Sequence, residues 1–253
     1  RSLRHFKQRT APSSSDATSL QKALVGTAKF TLLYAILGAL LRFVFARYGT
    51  AEMVASSAQR RARAVLFALS TLNCCITVVP FATTMRDVWR TWGSLVPSPY
   101  ASVTRFGDYR IEAPAEATDD GEPTMPPAAA RRMLRQSTFI CEAITGYLLH
   151  DLIMVLPEAH KYPADIFHHL AGLTCGFASL VNLRGVYPFL PVFFTAEFST
   201  IFLNLIWLFR EYPKTAEAMF PAGWGATVRD RIAPLCFAGA FGVVRAALFP
   251  YMK

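Results

Sequence analysis

Six long apolar runs limit what this chain can become. They fall at 24–46, 64–82, 137–156, 166–183, 186–209 and 232–252. A hydrocarbon layer about 30 Å thick takes about 20 residues of helix to cross. Inside it every backbone polar group needs an internal partner, which a helix supplies. The expected fold is therefore all-α, a polytopic membrane protein with six transmembrane helices. Only Arg184 and Gly185 separate the fourth and fifth runs, so these two read as a tight hairpin. The fifth holds Glu197 close to its middle. An ionisable group at that depth costs on the order of 3 kcal/mol or more and marks a candidate functional position.

Composition supports the spans over soluble domains: 53% of the 253 residues are apolar, 20 of them Phe. The formal charge of +9 would suggest nucleic acid in a soluble protein. Most of the Lys and Arg lie in loops flanking apolar runs, without interleaved aromatics, so anionic lipid headgroups are the expected partner and nucleic acid is not. Cys74, Cys75, Cys141, Cys175 and Cys236 all lie inside apolar runs with no CxxC spacing. They read as small buried hydrophobes, without a disulfide framework or a zinc or iron–sulfur site.

Residues 1–22 form a basic tail with Arg1, Arg4, Lys7, Arg9 and Lys22 and one acid, Asp16. Two readings stay open for it: a remnant of an organellar transit segment, or a basic tail held inside by the distribution of Lys and Arg. That distribution slightly favours the N-terminus inside. The remainder, 23–253, reads as one membrane domain with a long polar loop, 83–136, inserted between the second and third spans. The core of the loop, 112–127, has four prolines and five acids, too little apolar bulk to order itself. Its flank at 85–95, with Trp89 and Trp92, reads as an interfacial helix or aromatic anchor.

Several polar groups sit inside the spans. Asp165 is placed to cap the fourth helix, which opens with His168 and His169. On that helix His168, Gly172, Cys175, Gly176 and Ser179 share a narrow face whose Gly-x-x-x-Gly pair admits a neighbouring helix. This phase points His168 into the bundle and His169 about 100° around. Glu197, Thr200 and Asn204 make one polar stripe on the fifth helix, with Arg245 of the sixth as the partner for Glu197. The stripe serves either as an ion pair fixing register or as the floor of a ligand cavity. The third span adds Glu142, His150 and Asp151. Adjacent histidines diverge on a helix, and no HExxH or Glu-x-x-His motif is present, so no metal site is expected.

These residues also fall in blocks. Gly146–Asp151 (GYLLHD), Asp165–Leu170 (DIFHHL), Ala196–Leu205 (AEFSTIFLNL) and Phe241–Arg245 (FGVVR) occur in that order. Together they resemble the TLC-domain membrane proteins. The resemblance implies a helix bundle around a central, lipid-accessible cavity faced by the histidine pair, and a place in the endoplasmic reticulum. The family includes ceramide synthases, in which the paired histidines are catalytic and an H-D-x-x-D motif follows on the next span. Here that span offers Glu197 instead, which brings the chain closer to the small family members linked to membrane lipid composition.

Two functions follow as expectations. In the first, the protein binds or modifies an acyl lipid. His168 or His169 then acts as base or acyl acceptor, a neutral imidazole being poised for proton transfer near neutral pH. Asp151 and Glu197 orient it, and Asp165, Glu142, Thr200, Asn204 and Arg245 contact the ligand. No cofactor is needed, and acyl-CoA enters as a substrate only in an acyl transfer. This reading predicts that His169→Ala changes lipids without unfolding the chain. In the second, the protein is an accessory subunit of a larger complex, such as one of the mitochondrial inner membrane, joined through 83–136.

Overall fold

The computed structural model describes residues 14–92, 127–161, 163–181, 186–221 and 223–242, with side chains outside the description at 14–19, 85, 87–89, 91–92, 127, 129–131, 133–134 and 186–197. Nine α-helices carry these residues, and no strand occurs among them. They are α1 (Ser14–Tyr48), α2 (Ala51–Ala55), α3 (Ala58–Trp92), α4 (Pro127–Val155), α5 (Pro163–Val181), α6 (Val186–Glu211), α7 (Pro213–Met219), α8 (Trp224–Thr227) and α9 (Ala233–Gly242). Three stretches are long and apolar enough to cross a membrane: Leu20–Tyr48, Ala58–Thr84 and Arg135–Glu158. These three are what the described residues show of the six expected spans.

The expected hairpin of α5 and α6 is not how the bundle is organised. α4 packs on α1, α5, α3 and, more lightly, α6, whereas α5 and α6 barely touch. α6 lies instead against α3 and α9. The spans on α4, α3 and α1 are 56%, 44% and 22% buried in turn, so α4 is the centre and α1 the outermost of the three. Ile140, Cys141, Ile144, Tyr147 and Leu148 of α4 form the core with Tyr34 of α1 and Val65 and Leu69 of α3.

Small residues on α4 and α5 let the helices close. A Cβ on Gly146 would meet the α1 backbone at Thr31 N (2.9 Å) and Phe30 C (3.0 Å). The Thr31 hydroxyl lies 3.2 Å from the Gly146 carbonyl and 2.9 Å from its own helix at Thr27 O. Gly172 and Gly176 of α5 seat Leu148 and Thr145 of α4, so the Gly-x-x-x-Gly pair meets the central helix. Tyr34, Gly38 and Arg42 of α1 share the inward face. Tyr34 donates to Asn73 Oδ1 at 2.8 Å, Gly38 faces Leu69 and His150, and Arg42 reaches Met154 Sδ at 3.3 Å. Replacing Tyr34 with Phe leaves the buried Asn73 carbonyl without that donor. A loss of about 1–2 kcal/mol is expected, read as a lower thermal midpoint of the purified protein.

Element boundaries differ from expectation at prolines. Pro80 does not end the second span, because α3 runs through it to Trp92. The hydroxyls of Thr83 and Thr84 donate to Pro80 O at 2.8 and 2.9 Å, and both threonines bond Gln136 of α4 at 2.8 and 3.1 Å. These hydroxyls brace the turn after the proline and tie it to α4. The residues expected as a separate interfacial helix thus continue α3 as far as Trp92, and 93–126 lie outside the described residues. At the start of α4, Pro127 stands where a missing N–H costs nothing, and the helix begins ten residues earlier than the apolar run. Of the five cysteines, Cys74 and Cys141 are buried; Cys75, Cys175 and Cys236 face outward.

Candidate functional site

α4 brings Asp151 to face α5, one turn before the end of the helix. There the Asp151 Oδ2 atom lies 2.5 Å from His169 Nε2, and both side chains are about nine-tenths buried. The other ring nitrogen, Nδ1, lies 2.5 Å from the Asp165 carbonyl, one turn earlier on α5. A carbonyl oxygen only accepts, so Nδ1 carries hydrogen and donates. The opposite nitrogen meets the carboxylate at hydrogen-bond distance. His169 and Asp151 therefore form a buried pair, with the ring held at both ends. The second carboxylate oxygen, Asp151 Oδ1, is buried without a hydrogen-bond partner among the described residues.

This reverses the expected phase of the histidine pair. His169 points inward at 8% exposure, whereas His168 is exposed, its ring edge-on to His169 at 5.6 Å between centroids. The packing face of α5 runs through His169, Gly176, Ser179 and Leu180: Gly176 and Ser179 are as predicted, whereas His168 and Cys175 are exposed. Asp165 is not a cap: α5 already starts at Pro163, and Asp165 sits exposed in the first turn, where a carboxylate suits the positive end of the helix dipole. Its contribution to the site is its backbone carbonyl.

The remaining candidates lie elsewhere. Asn204 is buried on α6 and donates from Nδ2 to Thr71 Oγ1 of α3 at 3.3 Å, joining those two helices. Thr200 lies half-buried one turn before it. The Glu197 side chain and all of Arg245 lie outside the described residues. Glu142 is nine residues before Asp151 on α4, about 13 Å along the axis, and faces α1 at Gly26. His150, next to Asp151, turns toward Gly38 of α1 and leaves Nδ1 buried without a partner.

Sequence reasoning missed a groove. About 830 Å³ opens on the flank of the bundle between α1, α4 and α5, lined by Leu24, Thr27, Ala28, Thr145, Leu149, Leu173 and Phe177 among others. The central cavity expected from resemblance is thus met, among the described residues, by a lateral groove. Leu173 is one turn beyond His169 and Leu149 two residues before Asp151, though neither His169 nor Asp151 lines the groove. The four-residue spacing of Leu20, Leu24 and Ala28 was the available signal. Also missed was a polar collar near the same end. Arg60 pairs with Glu211 at 3.1 Å and lies 4.8 Å over the Tyr212 ring, and Thr215 donates its N–H to Glu52 at 3.1 Å.

Residues 117–253, more than half of the chain, match the TLC domain. The chain belongs to the TLC-domain family. Its matched region contains the whole of α4, α5 and α6, and hence Asp151 and both histidines. No curated protein and no solved structure matches it. With three helices suited to crossing a bilayer, this TLC-domain protein is an integral membrane protein whose family points to a lipid-related role.

Proposed function

We propose that this TLC-domain protein holds an acyl lipid in the groove between α1, α4 and α5 and presents its polar end to the His168–His169–Asp151 cluster. The observation that carries this reading is the apolar groove, whose lining residue Leu173 stands one turn along α5 from the buried, doubly anchored His169. Its lining of aliphatic, Phe and Thr side chains suits a hydrocarbon tail with few polar atoms. Both nitrogens of His169 are engaged in the packing, and in this reading the exposed ring beside it, His168, takes the proton or acyl group. His169 and Asp151 position that ring and balance charge that develops beside it. The endoplasmic reticulum is the compartment that goes with this reading, and acyl-CoA is its donor substrate in an acyl transfer.

The test is the lipid content of cells and of the purified full chain. His168→Ala is expected to shift the acyl-lipid profile while leaving the thermal midpoint unchanged, since an exposed ring is removed. Ala178→Trp, which fills the groove, is expected to strip the bound lipid. If both variants leave lipids unchanged, and the protein migrates in a large complex indifferent to them, the chain is an accessory subunit instead.

A further inference from the structure

A second cleft lies at the other end of α1 and α4, remote from the histidines. It holds about 510 Å³ and is lined by Gln21, Lys22, Gly26, Lys29, Thr138 and Glu142 with Val25. Lys29 lies nine residues inside the span that begins at Leu20, and Glu142 seven inside the span that begins at Arg135. At 1.5 Å per residue both sit roughly 10–14 Å from that edge, where unpaired charge is costly.

The carboxylate has a built seat. A Cβ on Gly26 would overlap the Glu142 carboxyl group and lie 2.7 Å from its Cγ, so glycine here lets the acid rest against α1 where it stands. Lys29 is near enough for its charge to act on Glu142. Yet among the described residues Glu142 forms no ion pair. Opposite charges thus line one cleft without a direct ion pair between them. Two lysine ammonium groups call for an anion, and the seated carboxylate calls for a cation on the same ligand.

We infer that this cleft binds a lipid headgroup carrying both a phosphate and a primary ammonium, the phosphate at Lys22 and Lys29 and the ammonium at Glu142. A headgroup with phosphate alone leaves the carboxylate unpaired beside it, and a quaternary ammonium lacks the N–H donors that Glu142 accepts. The flanking Val25, and the depth of Lys29 and Glu142 in their spans, favour the lipid over the free headgroup. The inference does not rest on the acyl-lipid reading, since the cleft and the groove share no lining residue, although both lie along the first half of α1.

The test reconstitutes the full chain from vesicles of equal parts phosphatidylethanolamine, phosphatidylcholine and phosphatidylglycerol, then identifies the lipids retained through mild delipidation by native mass spectrometry. Phosphatidylethanolamine is expected to be enriched about tenfold over the other two, the scale of one charge-assisted hydrogen bond. Glu142→Gln, nearly isosteric, should abolish that preference while sparing phosphatidylglycerol, and Lys29→Gln should weaken retention of both. His168→Ala should leave the preference intact, which separates this site from the other. Equal retention of phosphatidylglycerol and phosphatidylethanolamine in the parent, indifferent to Glu142→Gln, would overturn the inference, as would no enrichment over phosphatidylcholine. Displacement by soluble phosphoethanolamine would reassign the cleft to the free headgroup.

Discussion

His169→Ala is expected to lower the stability of the folded chain by about 3–5 kcal/mol, the cost of removing one partner from a buried charged pair. The variant leaves the Asp151 carboxylate nine-tenths buried with neither oxygen engaged, since Oδ1 already lacks a partner. This differs from the expectation drawn from sequence, that His169→Ala changes lipids without unfolding. The packing makes His169 part of the α4–α5 contact, and the exposed His168 is the residue whose removal leaves the fold untouched. Thermal unfolding in one detergent, with the parent, His168→Ala and His169→Ala side by side, checks the pair. His169→Leu combined with Asp151→Leu should recover most of the loss, because replacing both partners removes the unmet desolvation along with the pair. Lipid modification should stay absent in that double variant. A stable His169→Ala would mean that the pair does not hold α5 to α4.

The outline of the fold was legible because hydropathy reports directly on what hydrocarbon tolerates. The spans at 24–46, 64–82 and 137–156 reappear inside α1, α3 and α4. Hydropathy says less about which helix is central. The two adjoining apolar runs at 166–183 and 186–209 are more apolar than 137–156, yet α4 has the hub position. Its polar residues are the reason it looked less like a core. Helix neighbours, and not lipid, surround Asp151, His150 and Thr145, so a central helix can carry groups that an outer one cannot. The histidine phase failed for another reason. Two adjacent residues on a helix differ by about 100°, and the pair itself carries no sign of which one faces inward. Gly172, Gly176 and Ser179 pack inward as the predicted set has them, and at the start of the helix His169 takes the inward place that the set gave to His168. The site pair of His169 and Asp151 joins two blocks noted in the sequence, but the Asp165 carbonyl is a backbone atom, to which no residue type gives a clue.

Gly146→Val is expected to be the most damaging single change on α4. Even the Cβ of alanine would sit 2.9 Å from Thr31 N and 3.0 Å from Phe30 C, and these are backbone atoms that no rotamer change can move aside. α1 must then retreat from α4, which breaks the contact between the Thr31 hydroxyl and the Gly146 carbonyl and loosens Tyr34 and Phe30 in the core. Overpacking a tight contact costs about 1–3 kcal/mol. The lost packing of α1 adds to this, and the larger valine should prevent assembly of α1 on the bundle. The groove shares the same wall, since Thr27 and Ala28 of α1 and Thr145 and Leu149 of α4 flank the contact. Loss of bound acyl lipid is therefore expected together with loss of stability. Gly239→Ala is the control: a Cβ there meets nothing within 4 Å, so the change should be neutral. Gly176→Ala should fall between them, because its Cβ meets the Thr145 hydroxyl at 2.5 Å, a side chain that rotates. Thermal midpoints in the order Gly239→Ala, Gly176→Ala, Gly146→Val would support a bundle closed through α4. Equal midpoints for all three would mean that α1 does not approach α4 this closely.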